Sequence, residues 1–162
     1  MAQRWANWRA ALAMSSLFVA IGVSTTVTAA TRCSIVSVSS MNFGRYDPGN
    51  RRPLDSTGTV AVQCTDLTTS DVISIELSRS RVGGFMPRTM IGVGTGVRFE
   101  YNLYLDAART MVWGDGSGGT AVYRGRVTEG AAISVPIYGR IPPTQSLEGG
   151  RYDDLIIITL NY

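Results

Sequence analysis

From Cys33 to Tyr162 the sequence alternates apolar and polar residues in steps of two, and almost nowhere in steps of three or four. A two-residue period places successive side chains on opposite faces of an extended backbone, so such a chain folds by pairing strands. In the stretch from Val97 to Leu105, one face is Val97, Phe99, Tyr101, Leu103 and Leu105, and the other is mostly polar. Ile73, Ile75 and Leu77 alternate with Ser74, Glu76 and Ser78, and Val60, Val62 and Cys64 alternate with Ala61 and Gln63. Ile133, Val135 and Ile137 continue the pattern, and Pro136, which lacks a ladder N–H, predicts an edge position there. Arg51-Arg52-Pro53, Val82-Gly83-Gly84 and the stretch from Trp113 to Gly119 read as turns or loops. About seven strands are expected, over 33–38, 59–64, 72–77, 97–105, 121–127, 131–138 and 155–162, packed as two antiparallel sheets in an all-β sandwich.

The reactive side chains narrow the function as strongly as the period narrows the fold. There is no histidine, all 15 basic residues are arginines, and there are two cysteines. A Ser-His-Asp or Cys-His nucleophile pair, a lysine Schiff base and a Walker-type phosphate grip are therefore excluded. So is a zinc site built from histidines or four thiolates. Carboxylate chemistry, oxygen-ligated cations, and non-catalytic binding or assembly are left.

Residues 1–29 read as a secretory signal peptide, with Arg4 and Arg9 ahead of the apolar run Ala10 to Val23 and a small-residue cleavage site at Val27-Thr28-Ala29. A membrane anchor needs about 20 apolar residues, and this run is shorter and ends in Ser and Thr. The folded domain is expected to be 30–162. Two of the 15 arginines leave with the leader, so 13 face 12 acidic residues and the net charge falls from +3 to +1. No nucleic-acid partner is expected of so balanced a chain. An even pair of cysteines in an exported protein is most simply one disulfide, Cys33 to Cys64.

The terminal run from Leu155 to Tyr162, Leu-Ile-Ile-Ile-Thr-Leu-Asn-Tyr, is the most apolar strand of the domain. A strand this hydrophobic requires a neighbour on both sides, supplied by an earlier strand or by another chain. Other motifs have plainer readings. In Trp113-Gly114-Asp115-Gly116-Ser117-Gly118-Gly119 only Asp115 carries a carboxylate, which makes it a turn rather than a calcium loop, and no metal ligand is expected. Asp153 and Asp154, adjacent on a strand, point to opposite faces and cannot flank one glycosidic bond, so no catalytic residue is assigned. Arg88, beside Pro87, is expected to form a surface salt bridge.

In order along the chain stand Cys33-Ser34-Ile35-Val36, Phe43-Gly44-Arg45-Tyr46-Asp47-Pro48, Gly58 to Cys64, Arg88-Thr89-Met90, Tyr101-Asn102-Leu103-Tyr104, Trp113-Gly114-Asp115-Gly116, Tyr138-Gly139-Arg140-Ile141-Pro142 and Gly150-Arg151-Tyr152-Asp153-Asp154. This ordered set resembles the spore coat protein U domain family, the fold of subunits in archaic, Csu-type chaperone-usher pili. The resemblance implies an immunoglobulin-like antiparallel sandwich missing its last strand, with a hydrophobic groove between the first strand and the final one. It implies no cofactor and no enzyme activity. The implied partners are a periplasmic pilus chaperone, an outer-membrane usher and a neighbouring pilin subunit, each acting by β-strand addition. Ile35, Ile156, Ile158, Leu160 and Tyr162 are the residues that would face the groove or core, and the Tyr162 carboxylate is the implied chaperone anchor.

One departure qualifies the expected role. Cleavage after Ala29 leaves only Ala30-Thr31-Arg32 before Cys33, whereas a donor strand needs on the order of ten residues with alternate apolar positions. The chain is thus expected to accept a strand without donating one, at a fibre tip on the cell surface. The alternatives are a stand-alone spore-coat or extracellular-matrix protein, and a carbohydrate-binding or carbohydrate-active sandwich. Phe85 and Met86, in an apolar turn, are the candidate surface-contact residues, against a plainer role in capping the core.

Overall fold

The computed structural model describes residues 30–67 and 72–162; the leader expected over 1–29 lies outside the described residues. Among the described residues nine strands form, which we number β1 (Arg32–Ser39), β2 (Leu54–Thr65), β3 (Val72–Leu77), β4 (Arg88–Gly92), β5 (Arg98–Tyr104), β6 (Tyr123–Arg126), β7 (Ala132–Ile141), β8 (Tyr152–Asp153) and β9 (Ile158–Asn161). They make a six-stranded sheet in the order β1-β2-β7-β5-β4-β8 and a three-stranded sheet in the order β6-β3-β9. Every ladder is antiparallel, and the described residues form the all-β sandwich that the alternation predicts, of the immunoglobulin-like kind that the resemblance implies.

The alternation translates directly into the core. Val60, Val62 and Cys64 of β2, Ile73, Ile75 and Leu77 of β3, Phe99, Tyr101 and Leu103 of β5, and Val135, Ile137 and Ile141 of β7 are buried in one cluster. Each such side chain contributes roughly 1.5–3 kcal/mol by leaving water. Trp113, expected in a turn, joins this core with no exposed surface, and its indole N–H donates to the Ile75 carbonyl at 2.9 Å. Cys33 and Cys64 are direct cross-strand partners and are joined as a disulfide, with Cα atoms 4.1 Å apart.

Three expectations are corrected. Arg88 does not form a surface salt bridge: it is fully buried at the start of β4, a strand the alternation does not reveal. β4 has four of its five residues buried, on both faces, so it carries no two-residue period. Pro136 does not sit in an edge strand, because β7 lies between β2 and β5. Its position is still consistent with a missing N–H, since β5 pairs only with Tyr138 to Arg140 and leaves that side of Pro136 without a ladder. The final strand is shorter than expected, with its ladder confined to Ile158–Asn161, and β8 is a two-residue addition at the edge beyond β4.

Candidate functional site

The two layers are unequal in width. Three strands face six, so part of the large sheet's apolar face has no strand above it. The connection from β1 to β2 covers some of this area. Met41 and Phe43 lie directly over Gly139 of β7, where a Cβ would meet the Met41 sulfur and the end of the Phe43 ring, so a larger residue there would have to push both side chains aside. Phe43 packs edge-on against Tyr101, Tyr46 against Phe99, and Phe99 against Tyr152, at 4.9–6.1 Å between ring centres. The Tyr46 hydroxyl donates to the Pro142 carbonyl at 3.2 Å and accepts from the Gln145 N–H at 2.9 Å, which anchors the connection to the far end of β7.

What remains uncovered is a cavity of about 1010 Å³. Residues 38–46 form one wall and 147–156 the other, over a floor of Leu77, Met90, Phe99, Tyr101, Leu103 and Ile137. β1 is the edge of the large sheet and β9 the edge of the small one. The two come within 8 Å of each other, between Cα atoms, along part of their length.

The second wall is where the chain leaves the large sheet at β8 for the small sheet at β9, and Asp154 fixes this crossing. One carboxylate oxygen accepts the Tyr101 hydroxyl at 2.8 Å, and the other accepts the N–H groups of Arg81 at 3.1 Å and Leu155 at 2.9 Å. Ser78 then ties down Ile157 twice, its N–H donating to the Ile157 carbonyl and its hydroxyl accepting the Ile157 N–H. Burial, and after it the neighbouring Asp154 carboxylate, raises the Tyr101 phenol well above its ordinary value. The raised phenol gives a signed pH dependence. Its contribution to stability is full below the unfolded value of about 10 and is lost as the pH rises toward the folded value. Tyr101→Phe is expected to cost about 1–2 kcal/mol at neutral pH in urea unfolding. It should also flatten the fall in stability above about pH 10; an unchanged alkaline limb would rule out this role for Tyr101.

Arg88 closes the opposite side of this region. Nε and Nη2 donate to the Ser78 carbonyl at 3.2 and 2.9 Å, Nη2 to the Trp113 carbonyl at 2.7 Å, and Nη1 to the Asn102 side-chain oxygen at 3.0 Å. Burial lowers its pKa from the ordinary value, with the nearby Tyr101 and the acids Asp154 and Asp115 opposing. The Phe85 ring lies 5.2 Å from its guanidinium carbon and 5.7 Å from that of Arg79.

The residues singled out from the sequence fall in different places. Ile156 and Ile158 line the cavity. Ile35 and Leu160 are half-buried and pack against the core beside it. Tyr162 lies past the end of β9 and is 62% exposed. Phe85 is half-buried beneath the two arginines, while the neighbouring Met86 is 54% exposed, and both lie between β3 and β4, away from the cavity. The wall residues Met41, Phe43 and Tyr46 escaped sequence reasoning as site residues, although Phe43 and Tyr46 belong to a recognisable motif. Among the described residues no cluster of three metal-ligating side chains occurs, and Asp115 caps its own turn by accepting the Ser117 N–H at 2.8 Å.

Comparison with known proteins places this architecture. Protein U of Myxococcus xanthus is 31% identical over 142 residues, which cover 80% of this chain and 77% of that protein. Among solved structures, the fold is similar to the CsuC–CsuE chaperone–tip adhesion subunit pre-assembly complex from the archaic chaperone-usher Csu pili of Acinetobacter baumannii. That likeness has a TM-score of 0.53 at 12% identity, and covers 82% of this chain but only 40% of the matched chain, so it speaks to the fold. The model of the Spore Coat Protein U domain matches residues 18–159. With the motifs in order, the sandwich formed, the family model matched over residues 18–159 and a relative 31% identical over 142 residues, the chain belongs to the Spore Coat Protein U domain family.

Proposed function

We propose that this chain is a secreted, non-enzymatic subunit of a chaperone-usher pilus, and that the cavity between β1 and β9 receives an extended strand from another polypeptide. The observation that carries this reading is a cavity of about 1010 Å³ that opens between the end of β1 with the connection after it and the segment leading into β9, in a sandwich with three strands facing six. A cavity of that shape suits a strand better than a compact ligand, because the edges offer main-chain hydrogen bonds and the floor offers apolar contacts. In this reading the leader over 1–29 is removed on export and 30–162 is the folded domain. A periplasmic chaperone fills the cavity first, and an outer-membrane usher exchanges it for a neighbouring pilin. The fold of the Csu chaperone–subunit complex supports the same assignment. Periplasmic co-expression with a chaperone tests it: the expected result is a soluble one-to-one complex, with aggregation when the chaperone is omitted. A chain that is monomeric and soluble alone would reject it.

A tip position is the finer part of the proposal, supported by the three residues that cleavage after Ala29 would leave ahead of Cys33. N-terminal sequencing of the exported protein tests it, and ten or more residues before Cys33 would overturn it. At a tip, the exposed Met86 and the adjacent Phe85 would touch the colonised surface. Replacing both by serine is expected to reduce surface attachment severalfold while leaving export unchanged, and equal attachment would remove the loop from the contact. The family description favours one further reading, a stand-alone coat protein, for which export and solubility would not depend on any chaperone.

A further inference from the structure

The register of the large sheet sets a row of polar side chains on its outer face, the one turned away from the core. Asp55 of β2 stands opposite Arg140 of β7, and Arg140 stands opposite Asn102 of β5. Side chains directly opposite each other in an antiparallel pair have Cβ atoms roughly 5 Å apart, and diagonal neighbours are roughly 7–8 Å apart. Tyr104, two residues past Asn102, is such a diagonal neighbour of Arg140. Asn102, Tyr104 and Arg140 line a pocket of about 270 Å³, together with the apolar Met86, Pro87 and Val112, and no acidic residue lines it.

Each of the three polar residues brings a donor that finds no acceptor. The side edge of the Arg140 guanidinium is held by Asp55, Nε donating at 2.8 Å and Nη2 at 2.9 Å. Its end edge, Nη1 with the second hydrogen of Nη2, has no partner among the described residues, and the rigid fork can grip a second carboxylate there. Asn102 is only 8% exposed, and its side-chain oxygen accepts Arg88 Nη1 at 3.0 Å and the Leu103 N–H at 2.9 Å. Because the end facing that cation is the oxygen, the other end is the NH2 group. Among the described residues no fully buried side-chain nitrogen or oxygen lacks a partner, so this unpaired amide is reached from the pocket. The Tyr104 hydroxyl has no partner there either, and lies close enough to Arg140 and Arg109 to feel their charges. Burial raises its pKa, so at neutral pH it is a donor. The nearby carboxylates are committed elsewhere, Asp55 to Arg140 and Asp106 to the N–H groups of Thr110 and Met111 in its own loop.

We infer that this outer-face pocket binds a carboxylate carried on a body of about one ring, with the carboxylate on the end edge of Arg140, the Asn102 amide and the Tyr104 hydroxyl, and the body against Met86, Pro87 and Val112. A carboxylate has about four acceptor sites and no donor, which complements a pocket whose free polar groups all donate. One cation in the lining suits a singly charged group better than a phosphate. The carboxylate can belong to an acidic sugar or to an aromatic acid. The inference does not rest on the strand-acceptor reading, because these side chains alternate with the core residues Tyr101, Leu103 and Ile141 and so lie on the other face of the sheet. Met86 belongs to the rim, so the pocket gives the surface contact proposed above a chemical preference.

Nitrogen-15 NMR titration of the exported, folded protein tests this, with sodium glucuronate and sodium benzoate as probes and methyl glucoside, benzamide and inorganic phosphate as controls. At least one carboxylate is expected to bind saturably with a Kd on the order of 1 mM or tighter and to shift the Asn102 side-chain amide signals. Glucuronate alone would assign the pocket to an acidic sugar, benzoate alone to an aromatic acid, and both to the carboxylate irrespective of its body. Tyr104→Phe removes only the hydroxyl and should weaken binding about tenfold. Arg140→Lys keeps the charge but loses the fork, and should weaken it tenfold or more. Both variants should keep the wild-type urea midpoint to within about 0.5 M, which shows that the fold is intact. No binding of either acid at about 20 mM would overturn the inference. So would neutral controls or phosphate binding as tightly as the acids, saturation without a shift at Asn102, or binding that both variants leave unchanged.

Discussion

Arg88→Met is expected to lower the unfolding free energy by about 3–5 kcal/mol, the largest effect of any single substitution outside the apolar core. The methionine fills much of the same volume, so the loss is chiefly polar. Three acceptors, the carbonyls of Ser78 and Trp113 and the side-chain oxygen of Asn102, would each lose the guanidinium that satisfies them. Arg88 has no exposed surface and, among the described residues, no carboxylate within ion-pairing distance, so water cannot replace those bonds without opening the fold. Its stabilising role is thus to gather the carbonyls of Ser78, just past β3, and of Trp113 against β4 and β5. Lysine would keep the charge but offers one nitrogen in place of a planar fork, and Arg88→Lys should recover less than half of the loss. Urea unfolding reads this as a midpoint lower by about 2 M at an unchanged slope. A shift below about 0.5 M would mean that the carbonyls find other donors.

Replacing Cys33 and Cys64 together by alanine is expected to cost about 3–4 kcal/mol, from releasing a loop of 31 residues in the unfolded chain. β1 is the strand most exposed to this loss, because among the described residues it pairs with β2 alone, at an edge of the sheet. Reduction should therefore loosen β1 before the rest of the sandwich, visible as faster amide exchange from Arg32 to Ser39 under conditions where β3 and β5 stay protected. A double variant less than about 1 kcal/mol weaker, with β1 exchange unchanged, would show that the β1–β2 ladder and the packing of Ile35 hold this edge unaided.

The parts of the fold legible in the sequence are those with one wet face and one dry face. Val60, Val62 and Cys64, or Phe99, Tyr101 and Leu103, announce themselves because polar residues intervene. β4 does not: with Arg88, Thr89, Met90 and Gly92 all buried, it has no alternation to read, and its first residue carries a charge that ordinarily belongs on the surface. Pro136 misleads for a related reason, since its tolerance depends on where β5 ends, a fact set by distant residues. At the candidate site, Ile156 and Ile158 follow from the resemblance of the terminal strand to the family's last strand. The opposite wall follows from no period, because Met41, Phe43 and Tyr46 come from a connection that crosses the sheet over Gly139. Which edges border the cavity depends on strand order, and strand order is a property of long-range pairing.

Trp113 has a practical consequence. The chain has three tryptophans, and the other two, Trp5 and Trp8, lie in the stretch read as the leader, so residues 30–162 contain a single indole. It is fully buried and bonded through its nitrogen to the Ile75 carbonyl, at the middle strand of the small sheet. Its emission therefore reports on one place, the seating of β3 on the core, with no second fluorophore of its kind to blur the signal. The domain carries its own optical gauge of whether the narrow sheet, the one beside the cavity, is docked.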